Sequence, residues 1–339
     1  MSDRNIHNMN PYQSAGTFDG ISYVEREADR ELLQQILENR YYPYFLAPRQ
    51  SGKSSLIAHI IKKLDSKKFM SVIVDFSTFY PDSLESYDLF LNDFTDEITS
   101  KFEIFNDREK ITEKNSKAIK NLESTLQLII KNLDKRVIIF LDEIDRLIDL
   151  KFKDNFFGLI RSFFNQRTTK IEANFKQIQF VLSGTAQPTQ LISKVQVSPF
   201  NVGFPIILND LSLEEVEEMT KYICESKIKV QRTIGSNIYK YTKGSVYLTQ
   251  VILERLWIIG QKQLDLEISS KNVDKVVRDI IDESPNNIHF LNIYSNIINK
   301  SNLLRSFGSL VKGSQIDKQA FDELKMLGIT TSKDHPYRN

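Results

Sequence analysis

The sequence predicts an α/β protein, a parallel sheet with helices on both faces, followed by an all-helical part. Three observations predict it. Short β-branched or apolar runs alternate with helical patterns through the first 210 residues. One run, VIIFL at 137–141, is apolar at every position, as in a strand covered on both faces. Beyond Leu211 the strand patterns stop and helical ones continue.

The elements follow in order. Residues 1–20 are polar, with Gly16 and Gly20, and read as a flexible lead-in. A helix is expected over 26–39, where Leu32, Leu33, Ile36 and Leu37 share one side, and a strand over Tyr42 to Leu46, closed by Ala47-Pro48. Residues 53–64 place Leu56, Ile57, Ile60, Ile61 and Leu64 at helical spacing. SVIVDF at 71–76 is a strand. Residues 84–133 are mostly helical, with a charged break near 106–116. After the 137–141 strand come a helix over 152–166, a strand over 178–182 and a short strand over 205–208. Ser212 and Glu215 form a capping box that opens helices running to about Ile281. Residues 283–287 read as a linker, and a hairpin begins at 327–331. The chain divides into the lead-in 1–20, a core over 21–210, a helical lid over 211–285 and an end unit over 286–339.

Composition excludes several classes. The 339 residues carry 45 Lys+Arg against 44 Asp+Glu, so a protein that mainly coats nucleic acid is not indicated. With 41% hydrophobic and 26% charged residues the chain can bury a core, which argues against global disorder. The one cysteine, Cys224, forbids an intrachain disulfide and a cysteine-rich zinc site and fits a reducing compartment. No run of 18 apolar residues and no secretory signal is seen, so a cytoplasmic protein with no membrane partner is expected.

The chemistry centres on APRQSGKSS at 47–55, between a predicted strand and a predicted helix. It fits the phosphate-loop pattern G-x-x-x-x-G-K-[ST], with Ala47 in place of the first glycine. Backbone N–H groups of Ala47, Pro48, Arg49, Gln50, Ser51 and Gly52 (proline excepted) would curl round a phosphate chain, and the helix start would aim its positive end at it. Gly52 allows close approach, Lys53 reaches the β- and γ-phosphates, Ser54 offers a hydroxyl to Mg²⁺, and Ser55 sits near the α-phosphate. Arg49 is expected to face outward.

A second element is independent of the first. The VIIFL strand runs into Asp142-Glu143, the Walker B arrangement: Asp142 would hold Mg²⁺ and Glu143 would act as general base on the attacking water. Lys53 and Asp142 each follow a strand end, where ligands of such sheets bind. A glutamate in that place favours hydrolysis, and the lack of an NKxD motif favours ATP over GTP. After the 178–182 strand, Ser183 or Thr185 would emerge on the same sheet edge and bond the water or γ-phosphate, or simply build a turn. Arg161 and Arg167 are candidates for stabilising the transferring phosphoryl group of a neighbouring subunit, with surface ion pairing as the alternative.

With these residues in place, the chain resembles the AAA-like ATPase domain of bacterial multidomain regulators, in the AAA+/STAND branch of P-loop ATPases. The resemblance runs from about Pro11 to the C-terminus. It rests on SYVER at 22–26 followed by ADRELLQQIL, on APRQSGKSSL, FLDEIDRLIDL and FFGLIRSFFNQR, and on SPFNVG at 198–203. It implies a RecA-like nucleotide core, a helical lid and a winged-helix-like end, with Tyr23 and Val24 bordering the adenine. It also implies an ATP/ADP- and Mg²⁺-dependent switch working through homo-oligomer assembly or a partner effector protein. Val246 stands where the family's lid carries the proline of Gly-x-Pro, and Phe204 where a basic or polar residue is usual. The length leaves no room for a separate effector, so the expectation is a stand-alone ATPase or the ATPase part of something longer. Three activities stay open: a hydrolysing switch, a nucleotide-gated binding module with negligible turnover, and a DNA-associated remodelling or loading ATPase.

Overall fold

The computed structural model describes residues 10–14, 16–18, 20–102, 117–169, 175–225, 228–263 and 266–330. Their elements run α1 (Glu27–Glu38), β1 (Tyr42–Leu46), α2 (Lys53–Lys63), β2 (Phe69–Asp75), α3 (Tyr87–Thr99), α4 (Ala118–Asn132), β3 (Arg136–Asp142), α5 (Lys153–Thr169), β4 (Ile178–Gly184), α6 (Pro188–Leu191) and β5 (Gly203–Pro205). Then come α7 (Leu213–Glu225), α8 (Ile234–Thr242), α9 (Val246–Lys262), α10 (Ser270–Glu283), α11 (Ile288–Ile298), α12 (Ser301–Val311) and α13 (Lys318–Met326). The break expected near 106–116 lies outside the described residues.

Two compact units form. One combines Met1–Glu27, Ala47–Ala58 and Leu208–Asn339; the other takes Ala28–Leu46 and His59–Ile207.

The second of these holds the sheet. Its strands are all parallel, in the order β2-β3-β4-β1-β5, so β4 is inserted between β3 and β1. The register brings the carboxyl ends to one edge: Leu46 lies opposite Gly184, Leu141 opposite Leu182, and Asp142 opposite Asp75. Strand alternation decides what each face buries. Val137, Ile139 and Leu141 of β3 join Ile178, Phe180 and Leu182 of β4 in a core with Phe90 and Phe94 of α3, Leu126 of α4 and Phe156 of α5. Truncating one such phenylalanine to alanine costs about 3–5 kcal/mol in a packed core. The alternate residues Ile138, Phe140 and Val181 are buried as well, so both faces are covered, as the VIIFL run predicts. On that second face Gln179 donates to the Gln35 and Tyr41 carbonyls (3.2 and 2.8 Å), which seats α1 there. Helix α1 then stops at Asn39, whose φ of 55° is the left-handed conformation asparagine tolerates at a helix end. This is the RecA-like P-loop fold.

The short strand expected over 205–208 lies earlier, at Gly203–Pro205. Gly203 can pair because it has no side chain: a Cβ there would meet the Tyr42 carbonyl at 2.9 Å. Pro205 has no N–H to extend the ladder. After one further bond, Ile206 N–H to Tyr44 O at 2.8 Å, the chain leaves the sheet and Ile207 is exposed.

In the other unit the capping box forms as expected: Ser212 N–H donates to Glu215 Oε2 (2.7 Å) and Glu215 N–H to Ser212 Oγ (3.1 Å). Helices α7 to α10 enclose a core of Val216, Ile223, Ile238, Leu253, Leu256, Val273 and Val276. Tyr12 corrects the flexible lead-in expected over 1–20. It belongs to this core, and its hydroxyl donates to the Met219 carbonyl, because a tyrosine ring buries well once its O–H finds an acceptor. Among the described residues after Leu211, an isolated parallel bridge joins Val230 and Ile268. Helices α11 to α13 share a small core of Leu303, Ile316, Phe321 and Leu324. The hairpin expected at 327–331 is not seen over 327–330, which form a turn and bend, and Thr331 lies outside the described residues.

Candidate functional site

The loop that leaves β1 is built by two left-handed residues. Gln50 has φ 60° and Gly52 φ 90°. At Gly52 a Cβ would also stand 3.1 Å from the Arg26 guanidinium, so both conformation and space require glycine. Ala47 is not among the described residues with positive φ, which is why alanine can replace the expected first glycine. Side chains brace the loop. Ser51 Oγ donates to the Pro48 carbonyl (2.8 Å), and Arg26 Nη1, itself buried, donates to the Ser51 carbonyl (2.9 Å). Lys53 is buried, and its Nζ donates to the Ala47 and Pro48 carbonyls at 3.1 and 3.0 Å. Ser54 and Ser55 are half-buried in the first turn of α2, where backbone N–H groups lack intrahelical partners. Arg49 is exposed, as expected.

Beside this loop, within the same unit, lies a pocket. Gln50, Gly52 and Ser55 form its loop side, Tyr23, Val24 and Arg26 another, and Leu211, Met219, Val246, Tyr247 and Gln250, from the helical part, a third. Tyr23 and Val24, expected to border the adenine, both line this pocket. Val246, which stands where the family usually has a proline, lines the pocket as well. The chain before Tyr23 closes it further: Gln13, Ser14, Gly16 and Phe18 line it too. Gln13 N–H donates to Gln250 Oε1 (3.4 Å) and Phe18 N–H to Ser55 Oγ (2.9 Å). Because Ser55 accepts there, its own O–H remains a donor. Tyr247 also reaches the end helices: its ring centroid is 4.3 Å from that of His289, and its hydroxyl accepts from Asn287 Nδ2 at 3.4 Å. Burial pulls the His289 imidazole below its ordinary pKa.

The sheet unit carries the acidic part. Asp142 is buried at the end of β3 and accepts from the Glu143 N–H through Oδ1 (3.0 Å). Glu143 has φ 55° and ψ 40°, a left-handed conformation that costs a non-glycine residue about 1 kcal/mol or more. The turn after β3 is locked to the end of β4. Asp145 Oδ1 accepts from the Thr185 N–H at 2.7 Å, and a Cβ on Gly184 would meet Ile144 Cγ1 at 2.8 Å. Ser183, on β4 between β1 and β3, is fully buried, and its Oγ has no hydrogen-bond partner among the described residues. Among the described residues no group of three or more His, Cys, Asp or Glu is placed to hold a metal ion on protein ligands alone.

Arg161 and Arg167 both bond within the sheet unit. Arg167 is buried, bonds the Asn39 carbonyl and side-chain oxygens, and lies over the Tyr42 and Phe164 rings at 5.2 and 5.4 Å. Tyr42 opens β1, so Arg167 stands at the amino end of the strands, away from Asp142. Arg161 is half-buried and donates to the Ser198 carbonyl of the same unit (2.9 Å). Each satisfies a backbone carbonyl of its own unit.

Sequence reasoning missed Arg26, Asp145 and Gln250. Arg26 and Asp145 sit inside the quoted stretches SYVER and FLDEIDRL, where an ionic residue beside a turn is the signal. Gln250 carried none.

The fold and the loop define a P-loop nucleotide-binding architecture. Residues 12–338 match the model of the AAA-like domain family, and the chain belongs to that family. It is 29% identical over 291 residues to an uncharacterized WD repeat-containing protein of Synechocystis sp.; the match covers 82% of this chain and 24% of that protein, so the chain spans about a quarter of its relative's length. Among solved structures it resembles the ADP form of the ORC2 protein of Aeropyrum pernix (TM-score 0.55, 14% identity, 99% of this chain and 86% of that one). A Walker-type ATPase of Pyrococcus abyssi is similarly alike (TM-score 0.52, 16% identity, 90% of each chain). At those identities the likeness is one of fold. No helix among the described residues is long and apolar enough to cross a membrane.

Proposed function

We propose that the chain binds ATP and ADP with Mg²⁺, hydrolyses ATP, and uses the exchange as a STAND-type switch over assembly or an effector protein. The observation that carries this reading is the braced loop 47–52, with left-handed Gln50 and Gly52, opening α2 beside a pocket that Gly52 and Ser55 line. In it Lys53 moves from the Ala47 and Pro48 carbonyls to the β- and γ-phosphates, and Ser55 donates to the α-phosphate. The Ser54 hydroxyl and the Asp142 carboxylate are the hard oxygen donors Mg²⁺ takes alongside substrate phosphates. Glu143 is the base, and the orphan Ser183 hydroxyl, costly to leave unmet, is answered by the γ-phosphate or the attacking water. Thr185 acts through its backbone bond to Asp145.

Slow turnover is favoured over fast. The arginines that would stabilise the transferring phosphoryl group are engaged within their own unit. Calorimetric titration with Mg·ATP and Mg·ADP tests binding, and steady-state phosphate release tests turnover. Wild-type protein that binds neither nucleotide, or Lys53→Ala that binds as wild type, sinks the reading. Particle mass in ATP against ADP then separates an assembly switch from a static module.

A further inference from the structure

We propose that Gln250 reads the nucleobase, its side-chain N–H₂ donating to a ring-nitrogen acceptor of adenine. This rests on the nucleotide reading above and deepens it.

Gln250 lies in the second turn of α9, lines the pocket, and is only 6% exposed. Its orientation is fixed by chemistry. A backbone N–H can only donate, so the atom facing Gln13 N–H at 3.4 Å is the carbonyl oxygen, Oε1. Nε2 is therefore turned away from Gln13, and among the described residues Gln250 makes no other hydrogen bond. The lining is mixed: Val24, Leu211, Met219 and Val246 give it an apolar surface, and Gln250 is one of its polar groups. Such a surface covers the faces of a flat ring but reads nothing on its edge, so specificity falls to the few polar groups present. The Gln250 amide donor has no protein acceptor among the described residues, so it is free to bond a ligand acceptor in the pocket. Adenine presents unprotonated ring nitrogens, N1, N3 and N7, as acceptors. At N1 guanine instead carries a proton, so a donor placed there would also reject GTP.

The test uses ATP and its 1-deaza, 3-deaza and 7-deaza analogues, each lacking one acceptor, titrated into the full chain by calorimetry. For the wild type, one analogue is expected to bind about tenfold more weakly than ATP while the other two bind like ATP. Gln250→Glu keeps an acceptor for the Gln13 N–H and removes the donor; Gln250→Met removes it without adding charge. Both are expected to bind ATP about tenfold more weakly and to bind ATP and the discriminated analogue equally. The wild-type series needs no variant to fold, and a melting curve checks that the variants do. If all three analogues bind wild type like ATP, or the weak analogue stays weak in both variants, Gln250 is not the reader. If wild type binds no nucleotide, the underlying reading fails with it, and that outcome is distinct from ATP binding without discrimination.

Discussion

Asp145 Oδ1 accepts the backbone N–H of Thr185 at 2.7 Å, which ties the turn after β3 to the end of β4. The bond is charge-assisted and short, and it holds Ser183 two residues from its anchor. Asp145→Ala is expected to lower ATP turnover by about tenfold or more while leaving ATP affinity within about twofold of wild type. Single-turnover hydrolysis beside calorimetric affinity measures the split. An equal loss in both would mean that the bond merely stabilises the fold.

Gly184 faces the same turn from the strand side. With Ile144 Cγ1 only 2.8 Å from where a Cβ would stand, Gly184→Ala should destabilise by about 1–3 kcal/mol. Urea unfolding of the variant reads this as a lower midpoint with an unchanged slope. An unchanged midpoint would show that Ile144 yields without cost.

Glu143 combines the proposed base with a left-handed backbone at φ 55°. Glu143→Gln should retain ATP binding and lose hydrolysis. Glu143→Gly should lose hydrolysis too, yet keep stability within about 1 kcal/mol of wild type, because relief of the strained conformation offsets lost side-chain contacts. Hydrolysis persisting in both variants would remove Glu143 from the chemistry.

Arg167 is expected to behave as a structural residue. Arg167→Ala leaves the Asn39 oxygens and the Tyr42 and Phe164 rings without their partner, at a cost of about 2–4 kcal/mol. Turnover per folded molecule should be unchanged. Mixing this variant with wild-type protein distinguishes the two roles: a defect that wild-type subunits rescue would restore Arg167 as a residue acting across subunits.

His289 supplies a pH test. Burial lowers its pKa below the ordinary 6.5, so the unfolded chain takes up a proton before the folded one does. Its contribution is thus fully present above about pH 6.5 and is lost as pH falls through that value toward the lower folded pKa. His289→Gln should flatten that part of the stability profile, measured by urea midpoints from pH 7.5 to 5. An identical slope in the variant would assign the acid loss to other groups.

Much of the fold was legible because its signals are local. VIIFL announces a two-faced strand at 137–141, and Ser212 with Glu215 announces the start of α7 to the residue. The loop was legible for the same reason, since Gly52, Lys53 and Ser54 are adjacent in sequence. What stayed hidden depends on distant partners. Nothing near Arg167 shows that Asn39 would claim it, and nothing near Tyr12 shows that the Met219 carbonyl awaits its hydroxyl. Gln250 looks like any polar residue on a helix until the Gln13 N–H settles which way its amide faces. The strand at 203–205 was displaced because an apolar run, PIIL, outweighed the steric need for glycine beside Tyr42.

Tyr247 lines the pocket and also contacts Asn287, which caps α11, and His289 in its first turn. That helix carries Ile288, Leu291, Tyr294 and Ile298 exposed to solvent. Where nucleotide and a ligand on α11 are coupled through this ring, linkage makes the coupling reciprocal. Whatever factor nucleotide imposes on a ligand gripping α11, that ligand must impose on nucleotide affinity in return, so the strength of the coupling can be measured from either end without knowing which event comes first.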